Sequence, residues 1–469
     1  MVIGAGLAGC EAALQLARRG VPVDLVEMRP GQQTEAHRTG DPAELVCSNS
    51  LKSEDEANAH GLLKAELRIL GSALLECAER ARVPGGRALV VDRGRFAAEV
   101  AAALAAAGVS IRRAEANSVP PGPAVVATGP LTSPALAVAV ATAVGAERPL
   151  AKDADSGDSR HNSRLFFYDA IAPIVAGDTI DRTIAFEASR YGGGPSRTAG
   201  QSTPARLRQE AGGDYLNCPL DRDRYLRLRQ ALVEAELHPV RDFESNYLFE
   251  GCLPVEELAR RGERTLAFGP LKPVGLSDPR TGAKSFAVVQ LRRENAEGTM
   301  YNLVGFQTRL RQGEQRRVFR MIPGLERVEF LRYGSMHRNT YLDSPRLLLP
   351  TLQTRARADL LVAGQLTGVE GYVESIGAGL AAGINAARIC RGDKPVTLPG
   401  ETMLGALLSY VARGPAVSGA RFQPMNANFG LLPKPDGARH KSERRTCQVE
   451  LALASARRFA AESGVTSAR

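Results

Sequence analysis

No stretch of this 469-residue chain stays apolar for the roughly 18 residues that a membrane-spanning helix needs, and no charged-then-apolar leader opens it. A cytoplasmic protein without a membrane partner is therefore expected. Cysteine is sparse and scattered: Cys10, Cys47, Cys77, Cys218, Cys252, Cys390 and Cys447 are odd in number and contain no CxxC pair. Neither a zinc ribbon nor a thioredoxin-type redox centre is indicated, and most of these thiols are expected to be small buried hydrophobes. No His, Cys, Asp and Glu set suggests a metal site. Lysine is scarce too, with 8 among the 60 basic residues. The formal charge of +9 and pI near 9.3 favour a polyanionic partner such as nucleic acid, although an arginine-rich balance can also reflect a GC-rich genome.

What is present begins at the first residues. The β-branched pair Val2-Ile3 meets Gly4, Gly6 and Gly9 and passes into Glu11 to Ala17, whose apolar positions keep helical spacing. In this GxGxxG pattern the first glycine permits the tight turn, the second lets a pyrophosphate approach the backbone, and the third lets helix and strand pack closely. Phosphate then lies on a helix N-terminus, where free N–H groups and the dipole favour an anion. Val21 to Val26 reads as the second strand, and Glu27 at its end is placed to accept hydrogen bonds from ribose hydroxyls. Only three residues precede Gly4, short for a buried strand, so a few residues are expected to be missing before Met1.

At 44% hydrophobic and 24% charged, the composition is that of a globular protein of roughly two to four domains. A helical stretch is expected over 61–81, an alanine-rich helix over 95–107, and buried strands at Ala88 to Asp92 and at Ala124 to Thr128. From about residue 150 the texture changes to polar strands broken by Gly and Pro. The fold class is accordingly α/β, a Rossmann-like doubly wound dinucleotide-binding domain with an inserted α+β domain. Its parts are 1–150 (cofactor domain, first part), 151–330 (insertion, binding substrate), 331–440 (cofactor domain, second part) and 441–469 (C-terminal helix and tail). In the insertion Cys218 precedes Pro219, which biases it to extended backbone and is expected to present its thiol from a loop. Leu360 to Ser375 reads as a strand entering a glycine-rich turn. The following helix, with Gly377, Gly379 and Gly383, is expected to pack on the cofactor. Only one GxGxxG occurs, so a separate nicotinamide-binding Rossmann domain is not indicated.

Several stretches together resemble one family, the folate- and FAD-dependent tRNA (uracil-5-)-methyltransferases. They are GAGLAGCEAA from Gly4, CSNSLKS from Cys47, FFYDAIAPIV from Phe166, YLNCPL from Tyr215 and GPLKPVGL from Gly269. To these are added RYGSMHRNTYLDSP from Arg332, AGQLTGVEGYVESIGAGLAAG from Ala363 and FQPMNANFGLLP from Phe422. They run in one order over nearly the whole chain. The resemblance implies methylation of uridine to 5-methyluridine at position 54 of the tRNA T-loop. Carbon would come from 5,10-methylenetetrahydrofolate and reducing equivalents from NADPH or NADH through FAD.

The chemistry such a reaction needs explains the parts. Uracil C5 is a poor nucleophile until a thiolate adds to C6, and a methylene-level donor needs an added hydride to become methyl. The resemblance points to Cys218 and Cys47 as the two catalytic cysteines, with Cys218 preferred as nucleophile and Cys47 as acid, base or alternative nucleophile. Lys52, Arg222 and Arg224 would lower a thiol pKa if they converge on it. Expected FAD contacts are Gly4, Ala5, Gly6, Leu7, Ala8, Gly9, Glu27, Gly129, Gly364, Gln365, Gly371, Tyr372 and Ser375. His337, Arg338 and Arg222 are substrate candidates, and Arg206, Arg208, Arg224, Arg227 and Arg229 add a basic surface for the T-arm. Two alternatives remain: a wobble-uridine-modifying flavoprotein, and a non-catalytic FAD-containing RNA-binding protein. Oligomeric state is not legible.

Overall fold

The structure, a computed structural model, describes residues 1–145, 164–190, 213–238, 253–415, 422–435 and 440–463. Arg206, Arg208 and Cys252 lie outside the described residues. The chain opens with β1 (Val2–Ile3), α1 (Leu7–Arg18), β2 (Leu25–Glu27), β3 (Ser50–Ser53), α2 (Ala59–Ile69) and α3 (Ala73–Arg80). It continues through β4 (Arg82–Val83), β5 (Ala88–Val91), α4 (Arg93–Ala106), β6 (Ile111–Arg113), β7 (Ala124–Val126) and α5 (Pro134–Ala143). Next come β8 (Arg164–Ile171), β9 (Ile174–Ala176), β10 (Phe186–Ala188), β11 (Tyr215–Leu220), α6 (Arg222–Glu234), α7 (Val255–Arg260) and α8 (Thr265–Phe268). Then follow β12 (Ala287–Arg293), β13 (Met300–Leu303), α9 (Gln312–Phe319), β14 (Phe330–Arg332), β15 (Ser335–Leu342) and α10 (Ser344–Leu347). The last are β16 (Leu360–Val362), α11 (Tyr372–Cys390), α12 (Met403–Arg413) and α13 (Lys441–Glu462).

A parallel sheet of order β16-β7-β1-β2-β6 carries the glycine turn at its centre, so chain ends far apart in sequence meet in one layer. Its strands β16, β7 and β1 are apolar on both faces, as a sheet covered on both sides requires, whereas the edge strand β6 exposes Arg112 and Arg113. Val2, Val125 and Leu361 join the larger core with α1 and α11, whereas Ile3, Val126, Leu360 and Val362 join a smaller one with Leu136 and Val140 of α5. A second sheet, β10-β11-β12-β13-β9-β14, is antiparallel and has its own core around Cys218, Tyr225, Val289 and Phe306. The antiparallel pair β8 and β15 flanks the strands of this insertion in sequence.

Three local expectations differ from what is observed. The stretch 61–81 is two helices, because Gly71 at φ +72° turns the chain and Ser72 caps α3 by accepting from the Leu75 N–H. Cys218 is not in a loop: its extended backbone is a rung of β11 opposite Val289 of β12, a geometry that a residue before proline satisfies equally well. The glycines of α11 do not press on a cofactor either. A Cβ on Gly379 would stand 2.3 Å from the Ala8 carbonyl oxygen, and one on Gly383 would stand 2.8 Å from that of Ala12. These glycines let α11 and α1 touch backbone to backbone. Gly377 faces Leu404 and Leu67.

Candidate functional site

The glycine turn, the first turn of α11 and the loop over residues 34–52 surround a cleft of about 1860 Å³, counting its open mouth. Gly4 takes φ +100°, and a Cβ there would lie 2.7 Å from the Ala127 carbonyl oxygen; a Cβ on Gly9 would lie 1.8 Å from that of Gly4. At Gly6 a Cβ would meet no atom within 4 Å, so this backbone faces open space. Neither α1 nor α11 has a side-chain N-cap, their cap positions being Gly6 and Gly371. Asn58, Ser72, Asp92, Asp221 and Thr402 cap α2, α3, α4, α6 and α12 with side-chain oxygens. Two helix N-termini thus face the cleft with no side chain capping them, the arrangement that receives phosphates.

Of the expected cofactor contacts, Gly4, Gly6, Leu7, Ala8, Glu27, Gly129, Gly364, Gln365, Gly371, Tyr372 and Ser375 line the cleft. Ala5 and Gly9 stand behind it. The Ala5 N–H donates to Glu27 Oε2 at 2.8 Å, and Arg29 Nε donates to Oε1 at 2.9 Å. Burial opposes ionisation of Glu27, but these donors hold its carboxyl below the usual range. Oε1 accepts a second bond from the Arg29 N–H at 3.0 Å, so the lone pair left for a ribose hydroxyl is on Oε2. The residues therefore fit a dinucleotide: open backbone and two helix ends for the pyrophosphate, and a charged acceptor for the sugar.

Cys47 is the cysteine that lines this cleft, and its loop is held residue by residue. The N–H groups of Cys47 and Ser48 donate to Tyr372 Oη at 2.7 and 3.2 Å, which ties the loop to the first residue of α11. Arg93 donates to the Leu45 and Cys47 carbonyls and is ion-paired with Glu294. Arg332 donates to the Val46 carbonyl at 2.8 Å. Arg292 reaches Ser48 Oγ at 2.7 Å and Asn49 Oδ1 at 2.8 Å, while Asn49 Nδ2 donates to the carbonyls of Val91 and Arg293. Arg292 and Arg332 stand on β12 and β14 of the antiparallel sheet and Glu294 just beyond β12, so that sheet shapes the thiol's surroundings as well. The charges of Arg93 and Arg332 both act on Cys47. Burial, and next the charge of Cys47, push the Tyr372 hydroxyl up, keeping its proton on.

Cys218 is elsewhere. It is fully buried in the core of the antiparallel sheet, and that burial pushes its thiol far above the ordinary cysteine range. Arg222 and Arg224 do not converge on it. They are exposed on α6, 3.9 Å from Glu263 and 3.5 Å from Asp221 respectively. Arg227 is exposed as well, and Arg229 donates to the Ala259 carbonyl. Lys52 does line the cleft, at φ +62°, with Nζ 3.0 Å from His60 Nε2. His60 in turn lies 3.4 Å from Glu374 Oε1. Burial resists the Glu374 charge, yet Lys52 and His60 bring its carboxyl down to about 2. His337 and Arg338 stand on β15 opposite Asp169 and Tyr168, and their side chains are outside the described set; the next residue, Asn339, lines the cleft. Sequence reasoning missed Arg93, Arg292, Arg332, His60 and Glu374. Glu374 and Arg332 lie within motifs named above, but Arg93 on α4 and Arg292 on β12 are brought to Cys47 only by the tertiary fold.

A Rossmann-type dinucleotide-binding protein whose inserted antiparallel domain closes over a cysteine is the class these features define. Residues 1–394 match the family model of glucose inhibited division protein A. The chain is 50% identical over 465 residues to a methylenetetrahydrofolate–tRNA-(uracil-5-)-methyltransferase TrmFO of Heliobacterium modesticaldum, covering 98% of each chain. It is 52% identical over 435 residues to the enzyme of that name from Moorella thermoacetica, covering 92% of this chain and 91% of that one. A solved structure of Aquifex aeolicus GidA superposes with a TM-score of 0.67 at 17% identity, covering all of this chain and 74% of the other, and shares its fold. The chain belongs to the glucose inhibited division protein A family and, within it, to the methylenetetrahydrofolate–tRNA-(uracil-5-)-methyltransferases. No helix among the described residues is long and apolar enough to cross a membrane.

Proposed function

We infer that this chain is a folate-dependent tRNA methyltransferase, carrying the methylene carbon of 5,10-methylenetetrahydrofolate to C5 of uridine 54 in the T-loop. The observation that carries this reading is one cleft with a dinucleotide cradle along one wall and the clamped Cys47 loop on another. Identity near 50% to named methyltransferases, against 17% to GidA, favours it over a wobble-uridine modification. FAD fits the cradle, and when bound it supplies the hydride that takes the exocyclic methylene to methyl; NADPH or NADH restores it.

The chain's own residues do the rest. Arg93 and Arg332 favour the Cys47 thiolate beside the cleft. Its sulfur bonds to uracil C6, and the C5=C6 electron pair moves into the C4 carbonyl as an enolate. C5 then bonds to the donor methylene. After the C5 proton is removed, tetrahydrofolate leaves from that carbon; hydride addition re-forms C5=C6 and expels the sulfur as thiolate. In this conformation Cys218 would have to leave its core to meet a base, so Cys47 takes the attacking role. The target base must be unstacked from the tRNA elbow at a cost of roughly a few kcal/mol. A tRNA substrate supports a cytoplasmic location.

Incubation with T-arm RNA, methylenetetrahydrofolate and NAD(P)H should yield 5-methyluridine, and 5-fluorouracil RNA should trap a covalent adduct on Cys47. Absence of 5-methyluridine from a flavin-loaded protein overturns the reaction. An adduct on Cys218 with Cys47→Ala still trapping overturns the assignment of the thiol.

A further inference from the structure

Phe268, the last residue of α8, is the most exposed large hydrophobic side chain among the described residues, at 72%. Val274, 58% exposed, follows across Gly269-Pro270-Leu271-Lys272-Pro273. A single exposed apolar residue is ordinary, but this one is built into a cationic setting. The Arg264 guanidinium carbon lies 5.1 Å from the Phe268 ring centroid and 5.9 Å from that of Phe286. Such a contact restrains the ring without covering it. Arg222, 3.9 Å from Glu263, brings the exposed first turn of α6 to the same place, and Lys272 and Lys284 extend the positive rim. Arg224 shares the first turn of α6; the acidic residues in these segments are Asp221, Asp223 and Glu263, with Asp278 bonded through its N–H to the Ala283 carbonyl beside Lys284.

The patch is tied to the cleft. The Leu271 carbonyl accepts from the Val288 N–H at 2.9 Å, and four residues further along β12 Arg292 lines the cleft, about 13 Å away by strand rise. A protein-docking centre is depleted in charge, whereas unpaired RNA is held by π faces on which bases stack and by cations that take the phosphates between them.

We propose that Phe268, backed by Arg264, is a stacking platform for an unpaired base of the tRNA loop near the target uridine, with Arg222, Arg224 and Lys272 taking its phosphates. This rests on the reading that tRNA is the substrate. The platform holds the loop open while the target base enters the cleft.

The chain has no tryptophan, so Phe268→Trp in the full-length, FAD-loaded protein gives a single indole at the platform. T-arm RNA should quench its emission, and should leave that of Val138→Trp, on α5 behind the parallel sheet, unchanged. Phe268→Ala should raise the Kd and KM for tRNA about tenfold, the loss expected for one stacked base. FAD content, kcat and the KM for methylenetetrahydrofolate should stay at wild-type values. Phe268→Leu, apolar but without a π face, should behave as alanine does, and Phe268→Trp should restore affinity. No quenching together with wild-type RNA affinity in Phe268→Ala overturns the platform, as does a change in self-association with RNA affinity intact. A wild-type protein that binds T-arm RNA without methylating it overturns the reaction and leaves the platform standing.

Discussion

Replacing Gly379 by alanine asks whether contact between α1 and α11 sets the geometry of the cleft. The added Cβ would lie 2.3 Å from the Ala8 carbonyl oxygen and 2.8 Å from the Ala8 Cα, both backbone atoms that no rotamer change can move. To regain ordinary contact the helices must separate by about 1 Å, and such overpacking costs about 1–3 kcal/mol. Ala8 and Leu7 line the cleft, so the displacement is delivered to the phosphate-binding turn. Gly379→Ala should therefore lower thermal stability and weaken FAD binding together. Gly313→Ala on α9 is the control, because its Cβ meets nothing within 4 Å and its backbone is helical. It should stabilise by about 0.5–1 kcal/mol through the lost flexibility of glycine, with no effect on FAD. Calorimetry and flavin titration read both quantities. A Gly379→Ala protein with wild-type melting temperature and FAD affinity would refute the packing argument.

Gly6→Val should fold with near-native stability, since its Cβ meets no protein atom, but should take up no FAD; a folded yellow variant contradicts the pyrophosphate's place. Glu66, buried while accepting from the Met403 and Leu404 N–H groups at the start of α12, has its carboxyl pushed up to about 8 by burial. A raised folded-state value means that its stabilisation is full below pH about 4.5 and is lost as pH rises towards about 8. Melting curves of Glu66→Gln and wild type should therefore shift in the variant's favour between pH 5 and 8, and parallel curves would disprove this. Binding of T-arm RNA should weaken steeply with salt through counterion release, while Arg222→Ala and Arg224→Ala should flatten that dependence; salt-independent binding counts against the basic face.

How much of the fold is legible depends on whether a feature is local. The Val2-Ile3 strand, the GxGxxG turn and the helix after it follow from a pattern within a few residues, and they sit at the centre of the parallel sheet. The C-terminal helix expected within 441–469 is α13, Lys441–Glu462. The break at Gly71 is missed because periodicity over 61–81 continues across it, and only Gly71 followed by Ser72 signals one helix's end and the next one's cap. The glycines of α11 have the same residue type as those of the cofactor turn. Which backbone each lets approach is a tertiary fact: Gly6 faces open space, whereas Gly379 faces Ala8.

The two cysteines show the same limit at the level of chemistry. In the sequence Cys47 stands among small polar residues ahead of Lys52, and Cys218 stands between Asn217 and Pro219 with Arg222 and Arg224 close behind. Reactivity depends on what surrounds the sulfur in space rather than along the chain. The helix that begins at Arg222 directs Arg222 and Arg224 to solvent, while the strand before it turns Cys218 into the core, away from cation and substrate alike. Cys47 gains Arg93 from the start of α4 and Arg332 and Arg292 from the edge and middle of the inserted sheet, 46 to 286 positions distant for the bonds made by Arg93 and Arg332. Those arginines bind the loop's carbonyls and side chains as well as supplying charge. The thiol's loop is thus held from two sides, by Tyr372 and Arg93 from α11 and α4 and by Arg292 and Arg332 from the antiparallel sheet, and its place depends on how those parts of the chain pack.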